Sequence, residues 1–196
     1  MNRRLGQTAV SVTAALLFAG TASAELNYDY LELRFVDAEI DAGSNDIDGD
    51  GIEFGGSYKI ADKVHFFGSY RTLDFDGVDL NTFRIGAGYM TSIAVDTDFV
   101  ARVAYIDGEV DTGGRELDDS GFGLSAGFRR MFTPEVEGRA FLNHVDLDES
   151  GSETSLELAG DYFFTRQFAA GLALEFGDDA TSWSVGGRYF FGGARR

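Results

Sequence analysis

The chain has no cysteine, a single proline (Pro134) and two histidines in 196 residues. Without cysteine there is no disulfide, no thiol chemistry and no lipoprotein anchor. Basic residues are scarce, with 16 Lys and Arg against 33 Asp and Glu. That balance argues against nucleic acid, whose phosphates require cationic side chains. Beyond residue 24 no long apolar run occurs, so no transmembrane helix is expected. What is abundant is phenylalanine (18), tyrosine (8) and glycine (26). Strand-forming residues separated by Gly- and Asp-rich breaks point to an all-β protein.

The first 24 residues read as an export signal. Arg3 and Arg4 supply the positive start, Ala9 to Gly20 a short apolar stretch, and Ala22-Ser23-Ala24 a small-residue cleavage site. The apolar stretch is too short for a membrane-spanning helix, which needs roughly 20 residues. The mature chain is expected to begin near Glu25 and to hold 172 residues, with 14 basic and 33 acidic side chains and a formal charge of −19. The expected division is a signal over 1–24, one barrel domain over 25–191 and a short periplasmic tail over 192–196.

Period-2 alternation runs through nearly all of the mature chain. It predicts ten strands, at about 28–36, 52–59, 64–72, 80–90, 97–106, 120–131, 135–145, 154–163, 168–176 and 182–191. Tight connections (60–63, 91–96, 132–134, 164–167) alternate with longer acidic ones (37–51, 73–79, 107–119, 146–153, 177–181). Short turns at one end, longer loops at the other and an even strand count are the plan of a closed antiparallel up-and-down transmembrane β-barrel. Eight strands, with one hairpin folded into a loop, is the alternative.

One face of these strands is apolar, from Leu31, Leu33 and Phe35 through Phe83, Ile85 and Tyr89 to Trp183, Val185, Tyr189 and Phe191. Its strong charge is Arg130, beside a tight turn, where a lipid-facing charge costs only about 0–1 kcal/mol. The other face carries Glu32, Glu53, Asp98, Glu137, Glu157, Asp161 and Glu175 against Arg34, Lys59, Arg71, Arg84, Arg102, Arg129, Arg139 and Arg188. That face is nearly neutral in a strongly acidic protein. The excess acid lies in the longer connections, from Asp37, Glu39 and Asp41 to Asp178 and Asp179, opposed there only by Arg115.

A lipocalin-like barrel alternates too, with its apolar face inward. An ordinary solvated face has no reason to balance its signs, whereas a crowded interior does, because an unpaired buried charge is expensive. Glycines at 55, 86, 88, 123, 127, 171 and 186 share the charged face and could leave room for long arginines. Aromatics on the apolar face gather near both strand ends: Tyr58, Tyr89, Phe128, Tyr162, Phe168, Tyr189 and Phe191 at the turns, Phe35, Tyr70, Tyr105, Phe122, Phe176 and Trp183 at the loops. Two such belts suit two membrane–water interfaces.

The last strand, Ser184-Val185-Gly186-Gly187-Arg188-Tyr189-Phe190-Phe191, resembles the terminal β-signal of outer-membrane proteins, with Gly186, Tyr189 and Phe191 at its defining positions. The resemblance implies recognition by the barrel assembly machinery. The departure is that Gly192 to Arg196 follow the final aromatic. Across the mature chain the likeness is to the small OmpA/OmpX-like outer-membrane barrels of the Gram-negative envelope. It implies a bacterial outer-membrane location and contact with membrane lipid and lipopolysaccharide; a closed barrel, with no free edge that demands a partner, is expected to be a monomer, and no periplasmic peptidoglycan-binding domain is expected after the barrel.

Candidate chemistry is sparse. Asp46-Ile47-Asp48-Gly49-Asp50-Gly51 resembles the start of a calcium loop, so Asp46, Asp48 and Asp50 are the candidate metal ligands. The twelfth position is Ser57 rather than a bidentate Glu, and a solvated acidic turn is the preferred reading. No resident cofactor is expected, only weak collective attraction of Ca²⁺ or Mg²⁺ by the acidic loops. His144 lies near the loop end with Asp146 two residues on, without a nucleophile at a workable spacing, and His65 falls on the charged face.

The expectation is a non-enzymatic outer-membrane barrel for envelope integrity or surface interaction, presenting mobile acidic loops. A narrow porin-like channel for small solutes or ions is the first alternative. An outer-leaflet lipid-modifying enzyme or surface protease is the second.

Overall fold

The computed structural model describes residues 26–41, 46–112, 114, 116–178 and 180–191. The expected signal (1–24) and tail (192–196) lie outside these residues. The described chain is all-β: β1 (Tyr30–Asp41), β2 (Asp46–Ala61), β3 (Val64–Asp74), β4 (Asp79–Ala94), β5 (Thr97–Asp111), β6 (Glu116–Thr133), β7 (Val136–Leu147), β8 (Gly151–Phe163), β9 (Phe168–Phe176) and β10 (Ala180–Phe190). Each strand pairs antiparallel with the next, and β1 pairs with β10, which closes the barrel. There are ten strands rather than eight.

The closing seam is continuous from Tyr30↔Phe190 to Ile40↔Ala180. At the turn end, register shifts near Lys59/Ala61, Ser92/Ala94 and Met131/Thr133 mark the close of the β2–β3, β4–β5 and β6–β7 hairpins. Such bulges add twist where the chain reverses.

At the loop end the structure corrects the expected boundaries. Much of what reads as acidic loop is strand. β1 runs on to Asp41, β2 starts at Asp46, β5 runs to Asp111 and β6 starts at Glu116. The β3–β4 connection is a two-residue hairpin with Asp76 (φ 52°) and Gly77 (φ 89°) at its centre, closed by Phe75 N–H to Val78 O at 2.9 Å. Asp-Gly is the pair that a type I′ turn prefers, because both residues need positive φ.

In the middle of the barrel the large apolar side chains point outward. Leu33, Phe54, Leu124 and Leu142 are 56%, 54%, 58% and 58% exposed. Soluble monomers rarely expose contiguous apolar patches beyond a few hundred Å²; here the patch girdles the molecule. On β4 it extends from Phe83 to Ile93, within the roughly 9–11 residues that a tilted strand needs to cross hydrocarbon. Both aromatic belts lie on this wall, with pairs such as Phe99–Phe128 (5.6 Å between centroids), Phe168–Tyr189 (5.0 Å) and Phe35–Trp183 (5.9 Å) joining neighbouring strands. This surface is solvated by lipid.

Candidate functional site: a charged lumen and an acidic collar

The turn end of the lumen is partly filled, with a cleft of about 490 Å³ beside Leu26, Tyr28, Met90 and Asp98. The segment Leu26–Asp29, ahead of β1, folds across it, whereas the sequence alone extends the first strand to residue 28. Tyr28 is buried, donates its hydroxyl to Asp98 Oδ2 at 3.0 Å and takes the Arg129 guanidinium over its ring at 4.3 Å. Ser92 donates to the other Asp98 oxygen at 2.7 Å. Arg129 Nη2 donates to the Asn27 carbonyl at 3.0 Å, and Lys59 N–H donates to Asp29 Oδ1 at 2.6 Å. Leu26 packs against two inward clusters, Tyr28-Met90-Val100-Phe141 and Tyr30-Met131-Phe163-Ala169-Phe190.

Above this plug lies the ion-pair network. Arg129 and Glu137, 1% and 0% exposed, meet at 2.8 Å. Arg188 donates to Glu32 at 2.8 Å and reaches Asp161 at 3.3 Å. Arg139 bridges Asp161 (2.8 Å) and Glu157 (3.2 Å). Arg34 donates to Glu32 at 3.1 Å and to Ser184 Oγ at 3.1 Å. Higher up, Arg71 donates to Glu53 at 2.6 Å and lies 3.9 Å from Glu175, which accepts from Ser155 Oγ at 2.7 Å. Glu32, Glu53, Glu137, Glu157, Asp161 and Glu175 each have a guanidinium partner, which offsets the desolvation that burial imposes. A Cβ at Gly171 would collide with Asp161, and one at Gly88 with the His65 ring. Glycine there makes room for the buried polar groups.

His65 is fully buried and accepts from Arg102 Nε at 3.3 Å, with Tyr28 on one side (4.9 Å) and Phe67 on the other (6.1 Å). Arg84 and Arg102 are the lumen arginines that the carboxylates do not engage: neither has an ion pair within 4 Å among the described residues. The network encloses a polar space of about 100 Å³. A wider vestibule of about 270 Å³ above it shares Arg71, Arg84, Glu175 and Ser182 with that space.

Past the upper aromatic belt the faces exchange character. On β1, Val36 and Ala38 turn inward and are buried, while Asp37 and Glu39 alternate with them. Val36, Ala38, Leu73 and Phe75 form an apolar cluster with Ile40, Val78 and Leu80. Hydrogen-bonded register then places acids side by side across strands: Asp37↔Asp50, Asp50↔Asp74, Asp74↔Asp79 and Asp79↔Asp111. Asp50, Asp74, Asp79 and Asp111 are exposed, on the same wall as the apolar band below. At the β7–β8 tip, Asp119 accepts from the Glu149 and Ser150 backbone N–H groups at 3.1 and 2.7 Å and ties that turn to β6.

The candidate metal ligands are therefore on a strand. Asp48 and Asp50 sit two residues apart on the exterior of β2, paired with β1, and the side chain of Asp46 lies outside the described residues. Among the described residues no group of three or more His, Cys, Asp or Glu is arranged to hold an ion. His144 is exposed, with Nδ1 3.0 Å from Thr154 Oγ1. Gly186 and Tyr189 lie on β10, Tyr189 facing outward; Phe191, just beyond the strand, stacks on Tyr58 at 6.3 Å.

No family model matches the chain, and no curated protein matches it. Among solved structures, it is similar to the β domain of the Bordetella autotransporter BrkA, with TM-score 0.53 and 13% identity over 84% of this chain and 100% of that one. The N-terminal β-barrel domain of Pseudomonas aeruginosa OprF gives TM-score 0.47 and 15% identity over 84% and 100%. Neisserial surface protein A gives 0.43 and 16% over 83% and 96%. At such identities the likeness is one of fold. The fold is that of the outer-membrane β-barrels.

Proposed function

We propose that this chain is a non-enzymatic integral protein of the bacterial outer membrane, in the small-barrel group that OmpA and OmpX typify, serving envelope integrity or surface interaction. In this reading the loop end faces outward, export uses the expected N-terminal signal, and β10 with Gly186, Tyr189 and Phe191 is what the assembly machinery recognises. A closed barrel has no free edge that needs a partner, which favours a monomer.

The observation that carries the role is the in-register row of exterior aspartates directly above the lipid-facing wall. At that height the neighbours are the anionic headgroups of lipopolysaccharide. Carboxylates and phosphates coexist at short range when divalent cations stand between them, and over about 8 Å salt screens the remainder. The acids therefore work from a rigid strand wall rather than from mobile loops.

The test is thermal unfolding of the folded band on gels, with lipopolysaccharide present and with either Mg²⁺ or a chelator. Mg²⁺ is expected to raise the melting temperature of the native protein. It should do so much less for a variant with Asp37, Asp50, Asp74 and Asp79 changed to Asn. Equal shifts in both proteins would reject the role.

The ten-strand count and the packed clusters toward the turn end support a barrel that is no general porin, since water-filled porins need 16–18 strands. Planar-bilayer recordings are expected to show no stable conductance of porin size. For catalysis the nearest candidate is His144, whose Nδ1 lies 3.0 Å from Thr154 Oγ1 on the next strand.

A further inference from the structure

Two lumen guanidiniums stand outside the ion-pair network. The Arg84 side chain makes no hydrogen bond or ion pair among the described residues, and its Nε is buried without an acceptor. Arg102 donates Nε–H to His65 Nε2, and its Cζ lies 5.1 Å from the Phe67 ring and 4.7 Å from the Phe141 ring. With two aromatic rings near its Cζ and its Nε engaged, Arg102 has an Nη1–Nη2 edge that makes no hydrogen bond or ion pair among the described residues. Both arginines line the central space, and Arg84 also lines the vestibule above it. We propose that this space is a binding site for one small oxyanion, a carboxylate or phosphate group, entering from the loop end, with Arg102 as the fork that grips it and Arg84 as the charge that guides it.

Three physical points converge on this. A guanidinium edge matches two oxygens of one oxyanion, giving two parallel charge-assisted hydrogen bonds. The lining of the space carries seven arginines against four carboxylates, Glu32, Glu53, Glu157 and Glu175, with Glu137, Asp161 and Asp98 behind it. The four lining carboxylates are all held by other arginines, so none is free to turn to Arg102 without breaking a bond already made. The size also fits: a water needs about 10–15 Å³ of such volume, so about 100 Å³ takes a small anion with a few waters and excludes a sugar chain. The site is separate from the exterior aspartates and does not depend on their role.

The test uses the full mature chain folded in detergent micelles with ¹⁵N-labelled arginine. Sodium acetate and sodium phosphate are titrated separately at ionic strength held constant with sodium chloride. The expected result is a saturable shift of the Arg84 and Arg102 Nε–H resonances, with the tighter of the two anions naming the headgroup class. Arg102→Met should weaken binding at least tenfold as read at Arg84. Arg102→Lys, which keeps the charge but loses the fork, should fall between. The exterior Arg130→Gln should bind as the native protein does. Heat-modifiable migration checks that each variant is folded; should Arg102→Met fail there, Arg102→Lys and Arg84→Met carry the test. A linear, unsaturated drift, equal titration of native protein and the Arg102 variants, or chloride binding as tightly as the oxyanions would overturn the proposal.

Discussion

Below the upper aromatic belt the strands carry Leu, Phe and Tyr outward and Arg and Glu inward; above it, β1, β2, β3, β4 and β5 carry aspartate outward, and β1, β3, β4 and β5 carry Val, Leu and Ile inward. The backbone does not change across that line. The strands run straight through it in unbroken register, as with Phe35↔Ile52 below and Asp37↔Asp50 above. What changes is the solvent on the outside. In lipid the outer wall must be apolar, so the polar groups go inside and must be paired there. In water the ordinary rule returns: acids outside and a small apolar core of Val36, Ala38, Leu73 and Phe75 inside. One continuous sheet thus holds two opposite kinds of barrel, stacked end to end.

The largest expected effect comes from breaking the interior of the lipid-facing part. Glu137→Ala leaves Arg129 buried beside an apolar methyl, and loss of one member of a buried pair costs about 3–5 kcal/mol. Urea unfolding in lipid or detergent, read by heat-modifiable migration, measures it. The double change Arg129→Met with Glu137→Leu is expected to recover most of that loss, because a well-packed apolar pair has no charge left to satisfy. If the double variant were as weak as the single one, the plug would depend on charge in a way that simple desolvation does not explain.

A smaller effect tests the boundary itself. Leu33 and Asp37 lie on the same strand and the same outer face, four residues apart. Leu33→Arg puts a cation among acyl chains and is expected to cost about 2–4 kcal/mol. Asp37→Arg puts one beside Asp50 in water and is expected to be neutral or slightly stabilising. Should both cost the same, the line between lipid and water has been drawn at the wrong height.

Much of this arrangement was legible beforehand. Alternation located all ten strands, with β9 bounded as expected, and parity alone placed the charged residues on the lumen side. The extension above the membrane was not read, because Asp- and Gly-rich stretches carry the signals of turns. Yet Val36, Ala38 and Ile40 alternate between the acids of β1, and the apolar doublets Phe35-Val36 and Tyr105-Ile106 mark where the phase flips. A period-2 search that allows one change of phase finds them. The plug was half visible: Tyr30, Phe141, Phe163 and Phe190 stand at charged-face parity near the turns. Its other half, Leu26–Asp29, meets them only through contacts distant in the chain. Which arginines go unpaired is beyond parity altogether, since it depends on how long side chains from opposite walls divide a few carboxylates.

The smallest effect asks what holds the aspartate row together. Asp50 has a like charge directly opposite on each side, Asp37 on β1 and Asp74 on β3. Opposed like charges destabilise a strand pair, by about 0.2–1 kcal/mol each. In a chelator at low salt, Asp50→Asn should therefore raise stability by that order, and about 1 M salt, where the screening length is near 3 Å, should erase the gain. With Mg²⁺ and lipopolysaccharide the sign is expected to reverse, because the native carboxylate then joins a cation to a phosphate and the amide cannot. The reversal is the informative part. A gain that persisted in Mg²⁺ would mean that the row is tolerated repulsion on an otherwise well-paired sheet, and that whatever the outer wall contacts, it does not contact it through divalent cations.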